Sequence, residues 1–249
     1  MKYTNPKTFV MGGDMGDLVY HLLFIKQLGG TTFHIDPSGG EEYSRPGIAD
    51  MKKGKFNLSK ALFMLPLIKT QTYLEDVNFY SGRPCDAYKV YDVNAGEYAP
   101  EDISIRNLTH FHAKKYGLSL DNLNEPWLEV EKKTSPDEGR DTIINRTTRY
   151  RGNDNYYFFN KHRIENKAIF VGLEEEYSDF VQRYSTPNLP YVQVNDALHM
   201  AEIINGHDKF IGNGSLACSI AMGLGKDIEY EYCPVASHYL FQRNNIEIF

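Results

Sequence analysis

Two glycine-bearing turns, one near each end of the chain, hold the residues whose types could do chemistry. The first turn, Gly12–Asp17, carries Asp14 and Asp17 immediately before an apolar helical stripe, whereas the second, Gly212–Ser215, carries no charge. A glycine turn that opens a helix leaves unpaired backbone N–H groups there, and the helix dipole also favours an anion. We therefore expect the second turn to bind a phosphate and the first to offer a carboxylate for proton transfer.

Both turns also have a purely structural interpretation. Ser215 is a good N-cap residue, and a tight turn between a strand and a helix needs glycines whatever it binds. Asp17 likewise fits a carboxylate at the start of a helix, where the dipole stabilises its charged form and weakens it as a base. Residue types alone leave the structural and the functional interpretation open.

The first turn is a poor match to a dinucleotide-binding site. That fingerprint is G-x-G-x-x-G with an acidic residue about 20 positions further on. Gly13 and Gly16 fit its last two glycines and Asp36 lies at a suitable distance, but Met11 occupies the first position. The aspartates would also repel a pyrophosphate. We therefore do not expect a dinucleotide here.

The elements around the two turns predict an α/β fold. Apolar runs of strand length alternate with helical stripes, as is typical of parallel sheets with helices on both faces. We predict strands at Thr8–Val10, Thr31–Ile35, Thr72–Tyr80, Trp127–Val130, Thr142–Ile144, Ala168–Val171, Pro190–Val194, Lys209–Ile211 and Ile228–Tyr232. We predict helices at Leu18–Leu28, Leu58–Ile68 (interrupted at Pro66), Asp102–Lys115, Tyr177–Tyr184 and Leu198–Ile204, and after Ser215.

A segment with the composition of a linker, Lys132–Gly139, divides the chain. We place the boundary there and predict two Rossmann-like domains, residues 1–135 and residues 136–249. Ligands of open α/β sheets bind beyond the carboxyl ends of the strands. Two such domains facing each other would place the Gly12–Asp17 turn opposite the Gly212–Ser215 turn across a cleft.

The overall composition indicates a soluble, two-domain protein. The chain has 249 residues, a net charge of −6 and no basic tail, which argues against a general affinity for nucleic-acid backbones. Its cysteines, Cys85, Cys218 and Cys233, are odd in number and lack CxxC spacing, which favours a reducing compartment. We find neither a signal-peptide core nor a transmembrane segment, and we expect a cytoplasmic location.

Arginines and a threonine follow the first strand of the second half. Of the arginines we favour Arg146 and Arg151 over Arg149 as forked donors to a diphosphate, with Thr147 adding a hydroxyl. Glu174 follows another strand and could accept a hydrogen bond from a ribose hydroxyl. It is equally well explained as an acidic residue at the start of a helix.

Three segments, taken in order, resemble glycosyltransferase family 9, the heptosyltransferase-like glycosyltransferases. Gly13–His21 looks like the family's opening motif, G-x-x-G-D followed by two aliphatic residues. His112–Leu118 through Pro126–Leu128 resembles the helix and strand before its interdomain linker. Phe210–Gly225 resembles its donor-binding segment, I-G-x-D-S/T-G with A-A-x-G further on, although Gly214 stands at the acidic position.

The resemblance implies a GT-B architecture, in which two Rossmann-like domains face each other across a cleft. It also implies an inverting, metal-independent transfer of a sugar from a nucleotide-sugar donor to a hydroxyl acceptor. The donor is a substrate, so no cofactor is expected, and Asp17 would be the catalytic base. The donor phosphates would lie at Gly212, Asn213, Gly214 and Ser215. On the acceptor side we place Gly13, Asp14, Gly16 and His21.

The acceptor and the catalytic state remain open at this stage. The segment Arg140–Lys167 combines basic residues with Tyr150, Tyr156, Tyr157, Phe158 and Phe159, which would suit stacking on single-stranded nucleic acid or on sugar faces. The acceptor is therefore a saccharide, a lipid-linked sugar or a modified DNA base. A non-catalytic nucleotide-binding protein is a further alternative. His110 and His112 point to different faces of a helix, so we expect no metal pair. The sugar, the nucleotide and the oligomeric state are not specified.

Overall fold

A computed structural model of the chain contains two parallel β-sheets with helices packed against them. It describes residues 7–12, 14–37, 56–81, 88–90, 125–137, 139–152, 161–233 and 243–249. Several sequence-based predictions lie outside these residues, namely the loop at Ser38–Lys55, the helix at Asp102–Lys115, the aromatic run Tyr156–Phe159, Gly13 and Cys85.

The first sheet has four described strands in the order β3-β2-β1-β4, all parallel. They are β1 (Thr8–Met11), β2 (Thr32–Ile35), β3 (Asp76–Phe79) and β4 (Tyr88–Val90). Helix α1 (Met15–Gln27) follows β1 across the first glycine turn, and α2 (Leu58–Lys69) precedes β3. The alternation predicted from Thr8 to Tyr80 is confirmed, with β3 shorter than predicted.

The second sheet has six described strands in the order β10-β9-β8-β5-β6-β7, again all parallel. They are β5 (Thr142–Asn145), β6 (Ala168–Val171), β7 (Tyr191–Val192), β8 (Lys209–Gly212), β9 (Asp227–Tyr230) and β10 (Ile246–Ile248). The helices are α3 (Lys161–Lys167), α4 (Glu174–Tyr184), α5 (Ala197–Asn205) and α6 (Leu216–Gly223). The chain runs from β5 outward to β7 and then returns to β8 on the other side of β5. The carboxyl ends of β5 and β8 therefore form the topological switch point of the sheet, where α/β folds bind ligands.

Helix α1 lies between the two sheets. All its residues from Asp17 to Ile25 are buried, as expected of a helix enclosed on all sides. Phe24 packs edge-on against Phe9 of β1, with ring centroids 5.9 Å apart, and α1 also packs against α6. The predicted end of the helix is confirmed by Gly29, whose φ of 67° is favourable for glycine.

The larger of two apolar core clusters among the described residues continues from one sheet into the other. Helix α2 packs against α5 as α1 does against α6, and the core cluster includes Phe33 of β2 together with Phe210 of β8. A Cβ atom built on Gly16 would lie 3.6 Å from Ser219 Oγ, which shows how closely α1 and α6 approach. The strands before residue 135 form one sheet and those after it form the other. The domain boundary and the two-domain GT-B arrangement stay predictions.

Helix α2 corrects one sequence-based prediction, because it runs through Pro66 without interruption. Proline lacks the N–H that would bond to the carbonyl four residues earlier. That carbonyl belongs to Leu62, whose side chain is 50% exposed, whereas Leu67 and Ile68 beyond the proline are fully buried. Burial of these two side chains favours continuing the helix despite the lost hydrogen bond.

The predicted strand at Trp127–Val130 is also wrong. The backbone N–H groups of Trp127 and Leu128 both donate to the Gly223 carbonyl at the end of α6, at 2.9 and 3.0 Å. The buried indole N–H of Trp127 donates to the Val19 carbonyl of α1 at 2.9 Å. This segment therefore joins α1 to α6 instead of adding a strand to a sheet. No described helix has both the length and the apolar character needed to cross a membrane.

Candidate active site

A small pocket of about 80 Å³ opens between the N-terminal ends of α1 and α6. Asp14 and Asp17 line it on the side of α1, and Gly214 and Ser215 line it on the side of α6. The predicted meeting of the two glycine turns is therefore observed. Two helix N-terminal ends point toward one cavity, so their backbone dipoles both favour negative charge in it.

A larger pocket of about 370 Å³ adjoins the small one at the carboxyl edge of the second sheet. Its walls come from the segments that follow β5, β6, β7 and β8, and from the first turns of α2, which belongs to the other sheet. Five residues line both pockets, namely Met15, Lys60, Arg149, Ser215 and Leu216. The two pockets thus form one continuous candidate site at the switch point.

Asp17 lies at the start of α1 and also lines the small pocket. It is the third residue of the helix whose N-cap is Asp14, and its Oδ2 accepts the Asp14 backbone N–H at 3.3 Å. Its side chain is 3% exposed and still lines the small pocket. A carboxylate held in this way stabilises the helix start, and its predicted role as a base stays a prediction.

The second turn is shaped by close packing and by helix capping. Ser215 is the N-cap of α6, and its Oγ accepts the Cys218 backbone N–H at 3.1 Å. A Cβ atom on Gly212 would lie 1.9 Å from the Asn145 carbonyl oxygen, so only glycine fits beside β5. Gly214 and Ser215 face the small pocket. The predicted donor contacts of this turn stay predictions.

The arginines after β5 have different surroundings from those we expected. Arg146 is buried and makes two hydrogen bonds to Glu231, Nε to Oε2 at 2.6 Å and Nη2 to Oε1 at 2.8 Å. Arg151 forms an ion pair with Asp179. Arg149 is the arginine of this described loop that lines both pockets. The donor-binding roles of Arg146 and Arg151 therefore stay predictions, whereas Arg149 has the placement that such a role requires.

Lys60 is a second cation at both pockets, and no pattern in the sequence predicts its presence there. It lies in the first turn of α2, far along the chain from either glycine turn. The packing of α2 against α5 brings it to the second sheet. The position of Lys60 beside the second sheet depends on tertiary structure, and no local sequence motif predicts it.

Polar groups from β5 and α4 line the larger pocket. Asn145, which is buried, donates from Nδ2 to the Val171 carbonyl at 2.7 Å, and its Oδ1 has no hydrogen-bond partner among the described residues. Glu174 lines the pocket as an exposed side chain, while Glu176 is buried there. Burial raises the pKa of Glu176, although its Oε2 accepts the Leu173 N–H at 3.2 Å. Thr147 lines the same pocket.

Two other candidate side chains are buried beside the site. The Nδ1–H of His21 donates to the Asp17 carbonyl at 2.5 Å, and burial lowers the pKa of His21 to about 4. The ring is therefore neutral near pH 7, and its predicted acceptor-side role stays a prediction. Burial raises the pKa of the Cys218 thiol well above its usual range, so this cysteine is not a nucleophile at neutral pH.

The site combines positive and negative groups. In the small pocket the positive groups are Lys60, Arg149 and the two helix N-terminal ends, and the negative ones are Asp14 and Asp17 on the wall of α1; Glu174 and Glu176 line the larger pocket. Within the part of the chain that the structure describes, no three His, Cys, Asp or Glu side chains form a group that could hold a metal ion.

Known structures share this arrangement of sheets and helices. The crystal structure of the glycosyl transferase family 9 protein from Veillonella parvula DSM 2008 superposes with a TM-score of 0.61, over 100% of this chain and 88% of that one, at 11% identity. The chain has the family 9 glycosyltransferase fold. The resemblance predicted from its motifs is confirmed at the level of the fold.

A second structure superposes on this family 9 fold less completely. It is the dodecameric iron-containing heptosyltransferase TibC in complex with ADP-D-β-D-heptose, with a TM-score of 0.55 and 9% identity. The alignment covers 99% of this chain and 64% of that chain, so our chain spans less than two thirds of TibC. No protein-family model and no curated protein matches the sequence.

Proposed function

We propose that the protein is a glycosyltransferase that moves a sugar from a nucleotide-sugar donor to a hydroxyl acceptor. One observation carries the proposal: Asp17 and Ser215 line the same small pocket, which opens into a larger one at the switch point of the second sheet. One wall presents a carboxylate and the other presents the start of a helix. The family 9 fold supports the same activity.

The larger pocket is suited to the nucleoside of the donor. It has apolar walls, including Phe63 and Met200, and acidic groups at Glu174 and Glu176 that can accept hydrogen bonds from ribose hydroxyls. The diphosphate would then lie where the two pockets join, beside Ser215. Lys60 and Arg149 reach that junction from the two sheets and would bind its negative charge.

The proposed reaction follows from this placement of the donor. Asp17 takes the proton of the acceptor hydroxyl while that oxygen attacks the anomeric carbon of the donor sugar. The bond from this carbon to the diphosphate oxygen breaks, and the nucleoside diphosphate leaves. Attack from the face opposite the leaving group inverts the configuration. Lys60, Arg149 and the start of α6 stabilise the charge on the leaving diphosphate, and for this reason we propose a transfer that needs no metal.

The proposal includes the two-domain GT-B arrangement, with residues 1–135 on the acceptor side and residues 136–249 on the donor side. It also includes a cytoplasmic location and the absence of a cofactor. The acceptor is a saccharide, a lipid-linked sugar or a modified DNA base. The aromatic residues that would distinguish a nucleic-acid acceptor, Tyr156–Phe159, lie outside the described residues.

A thermal-shift panel of ADP, UDP, GDP, CDP and their sugars tests the donor class. A ligand that binds only the folded state raises the melting temperature. We expect one nucleotide to raise it together with its sugar conjugate, and the protein to hydrolyse that conjugate slowly to the nucleoside diphosphate. The absence of any shift across the panel would contradict the proposal. A shift without hydrolysis or transfer would favour a non-catalytic nucleotide-binding protein.

A further inference from the structure

Asn213 sits in the second glycine turn, but its side chain points away from the pockets and binds the loop after β5. It is fully buried. Its Oδ1 accepts the Thr147 backbone N–H at 3.0 Å, and its Nδ2 donates to the Arg149 carbonyl at 2.7 Å. The Thr147 and Tyr150 carbonyls lie within 3.2 and 3.4 Å of the same Nδ2. One amide side chain thus satisfies several backbone groups of a single loop.

The loop that Asn213 holds, residues 146–151, has an unfavourable backbone shape. Tyr150 adopts a φ of 52°, in the left-handed region that non-glycine residues rarely occupy. Such a conformation persists only where the surroundings fix it. The ends of the loop are fixed by the buried Arg146–Glu231 pair and by the Arg151–Asp179 pair. Asn213 holds its middle from outside the loop, alongside two bonds within the loop, from Arg151 Nε to the Thr147 carbonyl at 3.3 Å and from Thr147 Oγ1 to the Arg149 carbonyl at 2.9 Å.

Arg149 stands in this middle part. Its side chain is exposed, and its guanidinium carbon lies 5.7 Å from the centre of the Tyr150 ring. The same side chain lines both pockets where they join. The backbone carbonyls of Arg149 itself and of Tyr150 are among those that Asn213 Nδ2 contacts, so the same amide holds the backbone from which the Arg149 side chain leaves.

We propose that Asn213 is a positioning residue, which does not touch the donor but holds the loop so that Arg149 faces the diphosphate. The idea rests on the proposed function, since it needs an anion at the junction of the pockets. An amide is required because the loop offers both a donor and acceptors to the same side chain. Aspartate at position 213 would direct a carboxylate toward three carbonyl oxygens, whereas alanine would only remove the hydrogen bonds.

A double-mutant cycle tests whether Asn213 acts through Arg149. The dissociation constants of inorganic pyrophosphate and of the best nucleoside diphosphate from the panel are measured for Asn213→Ala, Arg149→Ala and the double variant. We expect each single change to weaken binding about tenfold, since one charge-assisted contact is lost in both cases. The double variant should bind no more weakly than Arg149→Ala alone. If the double variant instead loses the sum of the binding free energies lost by the two single variants, the proposal is overturned.

Amide hydrogen exchange without any ligand separates this proposal from the proposed function. We expect faster exchange in peptides covering residues 146–151 of Asn213→Ala, and faster still in Asn213→Asp. Thr148→Ala, an exposed position in the same loop, is the matched control and should leave exchange unchanged. Unchanged exchange in Asn213→Ala would overturn the positioning role even if nucleotides bind.

The remaining outcomes of the two experiments are also decisive. If the wild-type protein binds neither pyrophosphate nor any nucleotide, the proposed function fails, and Arg149 has no anion to face. If Asn213→Ala does not fold, both measurements are made on Asn213→Ser, whose shorter side chain offers one hydroxyl in place of the amide. Suppose that Asn213→Ser has the wild-type rate of hydrogen exchange but binds the ligand more weakly. This result would overturn the proposal, because the weaker binding would then come from a lost direct contact between Asn213 and the ligand.

Discussion

Asp17 and Ser215 line one pocket, although they belong to the first turns of helices on two different sheets. The close packing of α1 on α6 creates this relationship, and Gly16 lies at the contact. A carboxylate and a helix N-terminal end are thereby held on opposite walls of one cavity. A hydroxyl acceptor and an anionic leaving group need such a pair of walls.

The charge of Lys60 should contribute to donor binding. We expect Lys60→Met to raise the dissociation constant of the nucleoside diphosphate about tenfold, because a charge-assisted contact from the first sheet is lost. The effect should shrink as salt screens the charge. Isothermal titration calorimetry at two salt concentrations checks this. Lys69→Met, on the same helix and away from the pockets, is the control. Equal affinities for the two variants would show that Lys60 does not contact the ligand.

Gly212 should tolerate no side chain. A Cβ atom there would meet the Asn145 carbonyl oxygen at 1.9 Å, which β5 and β8 relieve only by moving apart. We expect Gly212→Ala to lower the free energy of unfolding by about 3 kcal/mol, in the upper range for overpacking. Urea denaturation measures it. Gly16→Ala is the contrasting case, since its nearest atom would lie 3.6 Å away and alanine favours a helix. A loss of similar size in both variants would contradict this reading of the strand contact.

The buried pair of Arg146 and Glu231 should be costly to break from one side. We expect Arg146→Met to lower the free energy of unfolding by about 3–5 kcal/mol, because a buried carboxylate loses its partner. Adding Glu231→Gln should recover part of that loss, since no buried charge remains and the amide oxygen can still accept the Gly152 N–H. Denaturant titrations of both variants test this. If Glu231→Gln lowers the free energy of unfolding further when it is added to Arg146→Met, the two residues are not energetically coupled.

Burial of His21 should make stability depend on pH. Its pKa is about 4 in the folded chain, against 6.5 as the ordinary value. Below pH 6.5 the imidazole of His21 is protonated in the unfolded chain, whereas in the folded chain it is protonated only below about pH 4. The stability contributed by the neutral ring is therefore complete above pH 6.5 and falls as the pH drops toward 4, by about 3 kcal/mol in all.

Other groups titrate in the same range, so the comparison must be made with a variant. The difference in unfolding free energy between wild type and His21→Asn, measured at pH 7 and at pH 4.5, isolates the contribution of the histidine. We expect the wild type to lose more stability than the variant over this interval. Parallel losses would mean that the ring is protonated in the folded protein.

Apolar periodicity and turn chemistry were enough to predict most of the fold. The strands that flank Gly12 and Gly212, the helices after them and the end of α1 at Gly29 follow from local residue patterns. The strands β4 and β10, each of three residues, and the short α3 were missed because they carry too little pattern. The predicted interruption at Pro66 is wrong because local helix propensity does not reflect the burial of the residues that follow it.

The walls of the site could be predicted, but its cations could not. Asp17 and Ser215 belong to turns that can be predicted from their glycine and polar residues. The choice among Arg146, Arg149 and Arg151 depends on their ion-pair partners, the buried Glu231 for the first and the half-buried Asp179 for the last, which lie far along the chain. Lys60 reaches the site only through the packing of α2 on α5. Contacts of this kind arise from tertiary structure alone.

The most direct test of the account compares Asp17→Asn with Asp14→Asn in sugar transfer from the donor that the thermal-shift panel identifies. The two aspartates line the same pocket, so each variant serves as a control for the other. We expect Asp17→Asn to lower kcat by at least about 100-fold, as the loss of a general base does, while donor affinity stays within about twofold. Asp14→Asn should retain most of its activity. Transfer that continues at the wild-type rate in Asp17→Asn would contradict the central claim.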